Sequence, residues 1–363
     1  MARTVEDSAA RRIGIVRQCH RTEHGHRRGS RRRDAGPKDT AGCVDEYVRS
    51  AQGDRSPQVI ATSPPMLKTR TLDAAQHRFG FALTVPALIA FLLLIFVPFA
   101  RSLWLAFNEY LLTSAEPRFV GLANFVRLFA DPGFRESWRV TGIFVICTTS
   151  ITTLFGTTYA LLLNEPMRGR TIIRAASLLP WVLPSTVTAL LWSWLYNGQY
   201  GVVNAVLLWT GLIHQPIFFL SDSVGAMIAV ISAKAWLSTP VVMLFVLAAL
   251  QSLPQEQVEA ARIDGANDFH VIRYVVLPHI RKTLGVMIIL QAMGNLQMFD
   301  IIYAMTSGGP VRATTVFSIE VYRRAFENWD LGMASAIGVI WFLTIAVIAI
   351  PYLRSMFTET HGS

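Results

Sequence analysis

The sequence predicts an all-α membrane protein with six transmembrane helices. Three observations carry that reading. Of 363 residues, 52% are hydrophobic and only 16% are charged, where a soluble domain carries about a quarter charged residues. Six separate runs are apolar and long enough to span, at 79–103, 140–163, 175–196, 224–250, 284–305 and 334–353; about 20 residues suffice to cross a bilayer as a helix. None of the runs alternates with period two, and only helices or closed barrels satisfy every backbone group in hydrocarbon.

Residues 1–65 precede the first run. They hold 13 Arg/Lys against 8 Asp/Glu and thus supply +5 of the net charge of +9. They are poor in large apolar residues and are expected to be a disordered basic tail. The run HRRGSRRR at 26–33 has the charge to meet nucleic acid or anionic lipid, but a solvated tail is the plainer expectation and no nucleic-acid partner is expected. A second expectation is that 1–65 is an over-extended start and that the protein begins at Met66, with residues 66–363 forming one six-helix transmembrane domain. Of the three cysteines, Cys19 and Cys43 lie in the tail and Cys147 in an apolar run. No disulfide framework or metal spacing is present.

The first run is too long for a secretory leader and lacks a small-residue cleavage site after it. Each later run is long enough to span with some tilt. Lys234 and Pro240 interrupt the fourth, and Pro184 the third; proline breaks the helical ladder and permits bending. Basic residues number 11 in the 67 positions of 66–78, 164–174, 251–283 and 354–363, against 8 in the 97 positions of 101–139, 197–223 and 304–334. By the positive-inside rule this places both termini, and the 251–283 connection, in the cytoplasm.

That connection is much longer than the 2–8 residues usual between bundle helices. Pro254 opens a helix-compatible stretch in which Glu256 sits in the first turn, where the helix dipole favours an acid. Gly265 suits a helix end, where positive φ costs it nothing. A second short helix over 268–276 then leads to Pro278 at the membrane edge. The predicted shape is an elbow of two short helices, with small residues that allow a partner close.

The segment 259–278, EAARIDGANDFHVIRYVVLP, resembles the EAA loop of bacterial ABC-importer permeases. Glu259, Ala260, Ala261, Gly265, Val275, Leu277 and Pro278 match its fixed positions. FVGLANF at 119–125, LLPWVLPS at 178–185, LQSLPQE at 250–256 and TSGGP at 306–310 are similar to stretches of the MalF/UgpA-type permeases of carbohydrate importers. Together the matches run across nearly all of the chain beyond the tail. One departure is Lys282, where relatives often place proline.

The resemblance implies a MetI-like permease fold in the bacterial cytoplasmic membrane. It also implies a second homologous permease subunit, a separate dimeric ATPase that binds the ATP, and an extracytoplasmic solute-binding protein. Glu259, Ala260, Ala261, Asp264, Gly265, Leu277 and Pro278 then couple to the ATPase. The solute it implies is a sugar, an oligosaccharide or a sugar-like polyol phosphate.

Polar groups within spans are costly, so their positions are informative. Gln291 and Asn295 share a face of the fifth run; Gln297 and Asp300 are expected on a nearly opposite one. Either pair lines the solute path or bonds a neighbouring helix. Trp192, Trp236 and Tyr303 offer flat faces on which sugar rings stack, whereas Trp181 and Trp194 read as interfacial anchors. No GxxxxGK[ST] phosphate loop, HExxH, paired-cysteine site or GxSxG occurs. The chain is therefore not expected to be an enzyme or to hold a cofactor or metal. An ion-coupled secondary transporter is the rival reading; it calls for inverted repeats and a broken-helix ion site, neither of which is evident.

Overall fold

The computed structural model describes residues 74–114 and 116–359. The expectations for residues 1–65 fall outside them. The first span is α1 (Ala74–Phe91), continued through a π-turn (Leu92–Phe96) into α2 (Val97–Ala106). From Thr84 to Ala106 it is mostly apolar, with Arg101 near its end, which suits a lipid-facing helix, and most of its large apolar side chains are exposed.

A small antiparallel hairpin follows, β1 (Asn108–Glu109) with β2 (Arg118–Phe119), Asn108 opposite Phe119. Then come α3 (Ala123–Ala130) and α4 (Pro132–Asn164). Asn124, of the FVGLANF stretch, is buried and donates through Nδ2 to the carbonyls of Ala106 at 3.0 Å and Asn108 at 2.8 Å. It ties the end of the first span to the hairpin and α3. The Arg127 guanidinium, 2.7 Å from Glu109, holds that carboxyl below the ordinary carboxylate range. Asp131 starts α4 by accepting the Gly133 amide at 2.8 Å, with Pro132 at the first helical position, where its missing N–H costs nothing.

The third apolar run, expected as one span over 175–196 with Pro184 as a place to bend, is divided there. It is α5 (Arg170–Ser177), α6 (Leu179–Val182) and α7 (Ser185–Leu195), with a 98° bend between Arg170–Val182 and Ser185–Leu195. Pro184 cannot donate into the ladder, and the residue before it, Leu183, is forced to extended backbone at ψ 137°. The short α8 (Val202–Trp209) precedes α9 (Ser223–Gln251), which passes through Pro240 unbroken.

The connection holds α10 (Gln255–Ile263) and α11 (Asp268–Val271). The second helix of the elbow is not separate, as the sequence predicted. It runs through a π-turn (Ile272–Val276) into α12 (Leu277–Leu296), so Asp268–Leu296 forms one 29-residue span. That span also ends earlier than expected; α13 (Asp300–Thr306) is a separate turn of helix. α14 (Phe317–Tyr322), a π-turn (Arg323–Glu327) and α15 (Leu331–Glu359) are the last elements of the described residues. Among the described residues, five helices are long and apolar enough to cross a membrane, and the bent pair makes six.

α4 and α9 form the spine. Gly156 permits their contact: a Cβ there would stand 2.6 Å from Val242 Cβ. Small residues at such crossings let backbones approach in lipid, where no hydrophobic force drives helices together. The buried residues form three clusters. One is central, around Phe144, Val230 and Ile301. A second lies against the connection, around Leu250, Val271 and Ile280. The third is at the opposite end, around Phe134, Phe317 and Ile337.

Candidate functional site

The elbow is built by a helix end that closes on itself. The Gly265 amide donates to the Arg262 carbonyl at 3.1 Å and the Ala266 amide to the Ala261 carbonyl at 3.0 Å. These are the two bonds of a Schellman motif, and they require left-handed backbone at the residue between. Gly265 supplies it at φ 87°. Ala261 and Ala266 turn inward with Val258 onto the cluster of Leu250, Val271 and Ile280. Asn267 then caps α11, its Oδ1 accepting the His270 amide at 2.9 Å, and Arg262 reaches Asp268 across the corner at 3.2 Å.

What remains outside is a face of Glu259, Ala260, Asp264 and Gly265, all exposed, with nothing within 4 Å of a Cβ placed on Gly265. Large apolar side chains flank it: Ile263 is 86% exposed and Phe269 68%. Leu277 and Pro278 are exposed where the π-turn meets α12. Such apolar side chains on a polar, rigid knob mark an interaction surface.

The polar residues of the fifth run are split between the end of α12 and the start of α13. Gln291 Nε2 donates to the Ser238 carbonyl on α9 at 3.4 Å. Asn295 is 2% exposed and donates through Nδ2 to Thr149 Oγ1 on α4 at 3.0 Å. In this conformation both bond neighbouring helices of the same chain. Gln297 and Asp300 do not share a helix face, because Gln297 caps α12 and Asp300 begins α13. Gln297 is exposed; Asp300 Oδ2 accepts from Ser185 Oγ at 2.7 Å, joining α13 to the start of α7.

The aromatic candidates fall into two groups. Trp192 meets Trp236 edge-on at 5.9 Å and Tyr196 at 5.7 Å. Trp236 lines a cavity of about 800 Å³ between α4, α5, α6 and α9, with Phe155 and Tyr159 opposite. Tyr303 belongs to the second group, stacked on Phe299 at 5.0 Å and donating its hydroxyl to Tyr322 at 3.3 Å.

The sequence reading missed an ion cluster at the far end of the bundle. Glu320 of α14 is 1% exposed and pairs with Arg312 and with Arg324, whose Nε lies 3.0 Å from Oε1. Arg324 also pairs with Asp131 at the start of α4. Arg312 donates to the Gly133 carbonyl at 3.0 Å and Ser137 Oγ at 3.1 Å. The cluster ties down the loop after TSGGP, where Val311 and Arg312 hold φ of 44° and 67°, a conformation that side-chain-bearing residues adopt only when held. One signal was available: Glu320 is the one charged residue in the mostly apolar stretch VFSIEV.

A six-span helical bundle with an exposed, internally locked elbow between its fourth and fifth spans defines a multi-span membrane protein built around a long inter-helical connection. The chain belongs to the family described as the binding-protein-dependent transport system inner membrane component, which matches residues 152–355, and within it to the carbohydrate importer permeases, which are not enzymes. It is 34% identical to the trehalose/maltose transport system permease protein MalF of Thermococcus litoralis, over 79% of this chain and 96% of that one. It is 32% identical to the sulfoquinovosyl glycerol transport system permease protein SmoG of Agrobacterium fabrum, covering 80% and 94%. The sn-glycerol-3-phosphate transport system permease protein UgpA of the same organism is 29% identical, covering 77% and 94%. The fold matches a chain of a bacterial ABC transporter involved in import of the acidic polysaccharide alginate, with a TM-score of 0.66 at 23% identity, over 80% of this chain and 98% of that one.

Proposed function

We propose that this permease, with a second permease subunit, forms the membrane path of an ATP-driven importer whose motor is a separate ATPase dimer docked on the elbow. The carrying observation is the elbow itself. Glu259, Ala260, Asp264 and Gly265 share an exposed face, while Ala261 and Ala266 anchor it to the bundle. A knob so fixed moves as one body with the span behind it, and transmission of a conformational change needs such a two-position rigid element. Both termini and the elbow lie in the cytoplasm on this reading, and a solute-binding protein delivers solute at the opposite face. ATP is bound by the partner alone.

The solute on this reading is a sugar, an oligosaccharide or a sugar-like polyol phosphate; the relatives named for transport of trehalose or maltose, sulfoquinovosyl glycerol and sn-glycerol-3-phosphate support it. Trp192, Trp236 and Tyr303 offer stacking faces, and Gln291, Asn295, Gln297 and Asp300 hydrogen bonds. In the conformation described, Gln291 and Asn295 bond within the chain, so their part in the path comes when the helices shift.

The test is Gly265→Asp. It places a side chain and a charge on the docking face at a backbone angle that favours glycine. Full insertion with ATP-driven uptake lost is the expected result; full uptake by a well-inserted variant overturns the reading.

A further inference from the structure

α9 and α12 are joined at one end by the elbow connection and are therefore antiparallel neighbours. They are level at Ser238 and Gln291, where the amide of one meets the carbonyl of the other. One turn further from the elbow, four residues back on α9 and four on along α12, stand Lys234 and Asn295. Both lie in the interior of spans. Lys234 is half-buried, eleven residues into the 29 of α9. No carboxylate among the described residues pairs with it.

A second observation points the same way. Asn295 uses its Nδ2 on Thr149, but its buried Oδ1 accepts nothing. On α4 beside it, the hydroxyls of Thr148 and Thr152 are buried and also lack partners. Buried polar atoms are nearly always satisfied, and a lone ammonium within a span is costly to insert. This group holds a cation without its anion, and hydrogen-bonding atoms without their mates, at one level of the bundle.

We propose that Lys234, with Asn295 and the neighbouring threonines, selects carbohydrates that carry an anionic group, a carboxylate, sulfonate or phosphate, as they cross. The anion pairs with the Lys234 ammonium when the helices part. Solute hydroxyls donate to Asn295 Oδ1 and accept from Thr148 and Thr152. A neutral sugar leaves the ammonium unpaired and is disfavoured for that reason, since a desolvated polar group with no partner costs more than the bond itself yields. The proposal rests on the importer reading above.

The experiment uses the full chain assembled with its second permease and ATPase in lipid nanodiscs. Radiolabelled cellobiose and the matching glucuronate disaccharide, cellobiouronic acid, are the probes, and equilibrium binding and ATP hydrolysis are read together. The expected result is that the wild-type complex binds the acid at least about tenfold more tightly than the neutral sugar, the worth of one charged hydrogen bond. Lys234→Gln brings the ratio close to one. Lys234→Arg keeps it, which separates lost charge from misfolding. Equal binding of the two sugars by the wild type, no binding of the acid, or a ratio that survives Lys234→Gln overturns the proposal; the last outcome marks Lys234 as snorkelling to the interface. If the complex hydrolyses ATP and binds solute with no preference for the acid, the selectivity fails and the importer reading stands. If no ATPase is retained on the permease, the importer reading itself fails.

Discussion

Glu320 Oε1 accepts from Arg324 Nε at 3.0 Å, in a carboxylate that is 1% exposed. Through Arg324 and Asp131, that one acid joins α14 to the start of α4. A buried pair adds little by itself, but removing one partner strands the other at a cost of about 3–5 kcal/mol. Glu320→Gln is expected to lower the thermal unfolding midpoint in detergent markedly, because two arginines lose their shared counter-ion. Glu109→Gln, whose partner Arg127 is half exposed, is expected to change it little. Equal effects of the two variants would contradict the cluster's role.

The contact of α4 with α9 depends on Gly156. Gly156→Val forces side-chain atoms into Val242, which a Cβ alone would already approach to 2.6 Å. Overpacking of this kind costs about 1–3 kcal/mol. A lower unfolding midpoint is expected, with partial recovery in the double variant Gly156→Val, Val242→Ala, since the two residues share one space.

Asn267→Ala removes the cap of α11 and should destabilise the corner locally by about 1 kcal/mol. Hydrogen exchange at the His270 amide, which Asn267 accepts at 2.9 Å, is the direct readout. Faster exchange there, with the central spans unchanged, is the expected pattern.

Single cysteines at Gly265 and Val311 report the orientation. Val311 is 93% exposed and Gly265 is open on its outer face. In intact cells a membrane-impermeant maleimide should label position 311 and spare 265, and lysis should expose 265. The reverse pattern would invert the topology drawn from the basic residues.

Most of the architecture could be read from the chain because bilayer physics is coarse. A run of apolar residues has few fates in hydrocarbon, so six runs gave six crossings. The elbow was legible for a different reason: the break at Gly265 and the alternation of small and charged residues around it are local signals. The bend at Pro184 was half visible, since proline marks a place where a helix can break, but its 98° angle comes from what packs on each side. The pairing of Asp131 with Arg324, 193 residues apart, has no local signature. The roles first given to Gln291 and Asn295 turned on which helix they face. Spacing within α12 says which residues share a side; it cannot say what lies opposite.

Asp268–Leu296 is one continuous helix, although the π-turn at Ile272–Val276 and Pro278 both fall within it. Twenty-nine residues at 1.5 Å each span about 43 Å. On the importer reading, a push at Asn267 is felt along that length, and the π-turn and Pro278, where helices bend, are the places at which it is redirected.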